Sequence, residues 1–146
     1  MTEFDLTAPL TTWIDALRTR SISARELLDA ALDQVERLDE PINAVVTIDA
    51  EQARAEATAI DDGRARGRHV GPLAGVPITI KDALATKGMR STGGAVELAD
   101  HVPDVDATVV DAVRRAGAVV YGKTNLPRWS GDYQSYNEIF GTTNNP

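Results

Sequence analysis

Apolar positions recur at helical spacing through the first third of the chain and then shift to short strand-like runs separated by turn residues. Leu10, Trp13, Ile14 and Leu17 share one helical face, with Thr7 and Pro9 as start signals. A second helix begins at Ser23-Ala-Arg-Glu26, where the serine hydroxyl and the glutamate carboxylate can satisfy each other's exposed amides. Its predicted core face is Leu28, Ala31, Val35 and Leu38, and Asp39-Glu-Pro41 ends it. Ile42 to Ile48 reads as a strand. Asp49 then caps an alanine-rich helix through about Ile60, with the narrow stripe Ala50, Ala53, Ala57 and Ile60.

The pattern tightens after the glycine- and arginine-rich loop Gly63 to Gly71. Val76, Ile78 and Ile80 form a short strand approached through Gly71, Pro72, Gly75 and Pro77, and it ends at Lys81. A loop follows, Thr86 to Gly94. Asp104 or Asp106 is expected to cap a helix carrying Val109, Val110, Val113 and Ala116. Arg114 and Arg115 suit its C-terminal dipole, and Gly117 suits a left-handed cap. Ala118 to Tyr121 is the next strand, leading into Gly122-Lys-Thr-Asn125. Alternation of helix and strand predicts an α/β layered domain with a partly parallel, mixed sheet. From Leu126 to Pro146 periodicity is lost, and the chain is polar, aromatic and turn-rich, the pattern of a loop laid over something else.

Composition narrows the functional classes. At 146 residues and 42% apolar content the chain has the material for one domain with a core. Net charge is −7 with the two signs interspersed, which argues against nucleic acid or an anionic membrane as the main partner. No apolar run approaches a membrane span, and the acidic start Met1-Thr-Glu-Phe-Asp5 lacks the apolar region of a secretory signal, so a cytoplasmic location is the default. Cysteine is absent, excluding disulfides and thiolate metal sites.

Lys81 is the strongest candidate for chemistry. A lysine closing a buried strand is costly unless it is paired, reaches water or loses its proton, and a neutral amine is a base. The competing reading is a lysine that extends to solvent or pairs with a nearby carboxylate; Asp82 is close in sequence but faces the other way on an extended chain. Other candidates are weaker. His69 and His101 lie in predicted loops without metal-ligand spacing, so no metal is expected. No Gly-x-Ser-x-Gly elbow occurs, and nothing local activates Ser91, Ser130 or Ser135 as a nucleophile. Asp61-Asp62 reads as a solvated helix end. The glycines between Gly63 and Gly71 do not form a dinucleotide fingerprint.

Gly71-Pro-Leu-Ala-Gly-Val-Pro-Ile-Thr-Ile-Lys-Asp82 resembles the lysine motif of the amidase signature family. The resemblance continues in order through Thr86-Lys-Gly88, Ser91-Thr-Gly-Gly94, Asp106-Ala-Thr-Val-Val110, Ala116 to Asn125 and Tyr136 to Pro146, and includes Ser23 to Leu28 and Ile42 to Val46. It implies the N-terminal portion of an α/β/α layered amidase-signature fold with a mixed central sheet. Residues 1–146 would be one incomplete domain, with a helical opening at about 7–62 and the lysine-bearing strand and its following units at about 71–146.

It also implies hydrolysis of carboxamides by a relay of lysine, cis-serine and nucleophilic serine, with no metal or organic cofactor. Lys81 stands at the lysine position. The same resemblance places Trp129, Ser130, Gly131 and Asp132 along the substrate channel. Both relay serines belong to glycine-rich segments downstream of the Asn-Asn-Pro position, so the chain alone is expected to be inactive. Its implied partners are a small amide substrate and the remainder of the amidase domain, while exposed sheet edges leave homo-oligomer formation open. Arg128 departs from the glutamate of many relatives. Two alternatives stay open: a non-catalytic fragment or interaction piece, and the amidase-type component of a glutamyl-tRNA(Gln) amidotransferase. The stretch Trp129 to Tyr136 is more similar to stand-alone amidases.

Overall fold

A computed structural model describes residues 5–68 and 70–146; the first four residues, part of the acidic start, and His69 lie outside the described residues. Among the described residues four α-helices and five strands follow one another in the order α1 (Leu10–Thr19), α2 (Ala24–Leu38), β1 (Val45–Ile48), α3 (Ala50–Ala65), β2 (Pro77–Lys81), α4 (Thr108–Arg115), β3 (Val119–Thr124), β4 (Tyr136–Asn137) and β5 (Gly141–Thr142). Single 3-10 turns occur at Val96–Leu98 and Arg128–Ser130.

The main sheet has the order β1-β3-β2. β3 runs antiparallel to β1 and parallel to β2, so the sheet is mixed, as the alternation of elements predicted. One core cluster joins Leu17 of α1, Leu27, Leu28 and Leu32 of α2, and Ala53 and Ala57 of α3 to Val76 and Val119. A second gathers Ile80, Met89, Val110 of α4 and Val120. Helices therefore cover both faces of the sheet, giving α/β/α layers.

Local chemistry accounts for the element ends. The Ser23–Glu26 capping box forms in both directions, and Asp61 of α3 adds its carboxylate to the same α2 terminus by accepting from the Ala24 and Arg25 amides. Gly75 has φ +81, and a Cβ there would lie 2.6 Å from Ala24 Cβ, so only glycine lets the β2 approach lie against α2.

Several boundaries differ from the expectation. The buried face of α2 is Ala24, Leu27, Leu28 and Leu32, and Leu38 is exposed, because the core cluster reaches no farther along the helix than Leu32. β1 starts at Val45: Asn43 adopts φ +57, and Asp39 captures the amides of Ala44 and Val45, diverting the chain before pairing begins. α3 continues to Ala65 through Gly63, where a loop was expected. Neither Asp104 nor Asp106 caps α4. Ala107 occupies the N-cap, and Asp106 instead accepts from the Lys87 amide. Gly117 has φ +92, as its cap position required.

The terminal segment is anchored largely by asparagines, among them Asn144, which donates to Pro41 O. Asn137 donates to Asn125 Oδ1 and the Leu126 carbonyl and accepts from the amides of Ile139 and Phe140. Asn125 donates to Gly141 O and Thr143 Oγ1. Asn43 donates to the carbonyls of Phe140 and Thr142. Side-chain amides thus replace the apolar periodicity that the segment lacks.

Candidate active site

Lys81 is the last residue of β2, in register with Thr124 of β3, and its side chain is exposed. The expectation of a lysine buried in the sheet is corrected here. β2 is an edge strand, and the face that Lys81 presents at its end is left open. Among the described residues no carboxylate forms an ion pair with Lys81. Asp82 turns the other way, as the pleat requires, and is buried.

The lysine enclosed by this fold is Lys123, which sequence reading passed over. It has no exposed side-chain surface and lies opposite Ile80 in the parallel pairing. The pairing jumps from Ile78↔Val120 to Thr79↔Gly122, so Tyr121 is an extra residue in β3. This bulge turns Lys123 to the side that carries Val120 and Ile80. Lys123 Nζ donates to Leu84 O at 2.8 Å and to Ser91 Oγ at 2.6 Å, and lies 3.5 Å from Asp82 Oδ1. Burial pushes its pKa below the ordinary lysine value, while Asp82 and Asp106 pull it back up. The available signal was the charged position within an otherwise apolar strand, Val119-Val-Tyr-Gly-Lys123.

Asp82 extends the network outward. Its Oδ2 accepts from Thr92 N at 3.0 Å and Thr92 Oγ1 at 2.5 Å, its amide donates to Thr124 O, and its carbonyl accepts from Gly93 N. Gly93 O in turn accepts from Trp129 N at 2.8 Å. Two backbone hydrogen bonds therefore connect the residue after Lys81 to the turn of the other predicted site residues.

Trp129, Ser130, Gly131 and Asp132 are all exposed. Trp129 and Ser130 have φ of +53 and +57, two successive left-handed residues without glycine, a conformation held by Ser130 N donating to Pro127 O and Gly131 N to Arg128 O. The Trp129 ring packs over Gly93, where an added Cβ would meet it at 3.0 Å, yet more than half of the residue (58%) remains open to solvent. Gly131 and Asp132 border a surface cleft with Gly94, Val96, Arg128 and Tyr136. Lys81 and Trp129 are not among the residues lining it. Arg128 pairs with Glu97, joining the two 3-10 turns at this rim. Among the described residues no group of three His, Cys, Asp or Glu side chains is arranged to hold a metal, and no helix is long and apolar enough to cross a membrane.

Comparison with known proteins shows the family and the fold. A family model described as Amidase matches residues 26–146. The chain is 42% identical over 137 residues to a glutamyl-tRNA(Gln) amidotransferase component of Synechococcus sp. (strain CC9605), covering 94% of this chain and 28% of that protein. Among solved structures, it superimposes with a TM-score of 0.89 and 31% identity on a bacterial aryl acylamidase of the amidase signature enzymes, covering 95% of this chain and 29% of that one. It superimposes on 6-aminohexanoate cyclic dimer hydrolase with a TM-score of 0.86 and 32% identity, covering 98% of this chain and 28% of that one. The chain thus spans little more than a quarter of the length of the proteins it matches.

Proposed function

This chain belongs to the amidase family, and we propose that it is the lysine-bearing portion of an amidase that hydrolyses carboxamide bonds, with Lys81 as the proton acceptor. The observation that carries this reading is the setting of Lys81: an exposed amine at the end of a sheet strand, its neighbour Asp82 locked inward, beside a loop tied to the Trp129 turn. In the relay, Lys81 in its neutral form takes a proton through a bridging serine from a nucleophilic serine, which attacks the amide carbonyl. Backbone amides hold the oxyanion, the amine leaves, and water releases the acyl group. Both serines come from a glycine- and serine-rich portion that this chain does not contain, and that portion would cover the open side of Lys81. Trp129, Ser130, Gly131 and Asp132 line the approach of a small amide substrate.

The test joins this chain to the downstream portion of an amidase-signature relative and follows release of a chromophoric amine from an aryl amide. Lys81→Ala is expected to lower the rate by about 10²- to 10⁴-fold, the usual worth of a positioned proton acceptor. Survival of most of the activity would remove Lys81 from the mechanism. The 146-residue chain alone is expected to show none.

A second reading is favoured by the names of the curated relatives: the amidase-type component of a glutamyl-tRNA(Gln) amidotransferase. The same lysine relay would then release ammonia from glutamine or another amide donor for use by companion proteins. Glutamine hydrolysis that depends on those added companions, with no turnover of aryl amides, would select this reading.

A further inference from the structure

We infer that Lys123 is a positioning residue of the site, a buried ammonium that fixes both the Lys81 strand end and the Trp129 turn without touching substrate. The inference rests on the assignment of Lys81 as proton acceptor. Lys123 Nζ donates to two acceptors, Leu84 O at 2.8 Å and Ser91 Oγ at 2.6 Å, and stands 3.5 Å from Asp82 Oδ1, a charge pair without a hydrogen bond. Ser91 Oγ also accepts from Thr86 N and donates to Met89 O, so the direction of each bond is determined by Lys123 acting as the donor.

The acceptors are not scattered through the fold. Asp82 and Leu84 follow Lys81 closely, and Leu84 N donates to Lys81 O, so Lys123 grips the turn that aims Lys81. Ser91 begins the Ser91–Gly94 loop, whose Thr92 and Gly93 bind Asp82 and whose Gly93 carbonyl holds Trp129. One side chain on β3 therefore contacts the turn after Lys81 and the Ser91–Gly94 loop, and that loop holds the Trp129 turn. The β3 bulge at Tyr121 is what brings it there. Complete burial keeps Lys123 itself from meeting a substrate. An apolar side chain at this position would leave the buried Asp82 carboxylate without its paired charge and Leu84 O and Ser91 Oγ without their common donor, and the turn would lose its single arrangement. The charged groups facing Lys123 are Asp82 and, farther off, Asp106 from the segment before α4.

The test uses the active joined enzyme described above, with Lys81→Ala, Lys123→Met and Ser91→Ala. Folded Lys123→Met, checked by circular dichroism, is expected to lower kcat by about tenfold to a hundredfold with KM little changed, the usual effect of misplacing a reacting group. It is also expected to shift the acid limb of the kcat/KM pH profile. Ser91→Ala, which removes one acceptor and keeps the charge pair, covers the case in which Lys123→Met does not fold. It is expected to move both quantities in the same direction by less. In the 146-residue chain, Lys123→Met is expected to speed amide hydrogen exchange at Leu84, Gly93 and Trp129 and to leave Leu28 and Ala53 protected. If Lys81→Ala abolishes activity while the folded Lys123 and Ser91 variants keep the wild-type kcat, pH limb and exchange pattern, the positioning role is overturned and the Lys81 assignment stands. If Lys81→Ala retains activity, both fall.

Discussion

Two lysines near the same end of one sheet have opposite environments, and the difference comes from their strands. Lys81 ends an edge strand and faces open solvent, whereas Lys123 lies near the end of the central strand and is enclosed. Losing a partner of the enclosed pair leaves an uncompensated buried charge, so Asp82→Ala is expected to destabilise the chain by about 3–5 kcal/mol in urea denaturation. A loss under about 1 kcal/mol would mean that water reaches the ammonium. The pKa of Lys123 is lowered by burial from the ordinary 10.5. Between the lowered folded value and 10.5 the unfolded chain binds more protons, so the contribution of this group to stability rises with pH through that window. Wild type minus Lys123→Met stability should therefore increase as the pH is raised toward 10.5. A constant or falling difference would contradict the direction of the shift.

The elements show where sequence signals competed successfully with tertiary context. The Ser23–Glu26 box is a local device that needs no knowledge of the fold, and it formed as read. Ser23→Ala is expected to cost about 1 kcal/mol, measured as a lowered midpoint of thermal unfolding. Leu28→Ala, inside the first core cluster, should cost about 2–5 kcal/mol, and Leu38→Ala, on the exposed end of the helix, under about 0.5 kcal/mol. Equal effects from the two leucines would mean that the α2 face is rotated from its place here. Gly122 is a similar discriminator on β3. A Cβ there would lie 2.7 Å from the Thr47 carbonyl, so Gly122→Ala must push β1 away from the sheet.

At the scale of the whole molecule, the sheet ends in two edge strands, β1 and β2. Val102, Val105, Val109, Trp129 and Tyr133 are among the exposed apolar side chains. Open sheet edges favour association. The isolated chain is expected to self-associate as its concentration rises, measured by sedimentation or light scattering. A sharp, reversible melting transition of a monomer at high concentration would count against this. The chain spans 28% of the Synechococcus relative.

Short-range information was enough for the capping box, the glycine turns, the alternation of helix and strand, and the ordered motifs that mark the family. These depend on residues a few positions apart, or on a linear order that survives without coordinates. The burial of Lys123 in place of Lys81, the bulge that turns it, and the asparagine clamp on Leu126 to Pro146 depended on the tertiary structure. Each joins groups between about a dozen and a hundred residues apart, and no local pattern encodes which strand becomes the centre of a sheet. Which lysine meets water and which meets a carboxylate was settled only when β3 took the place between β1 and β2.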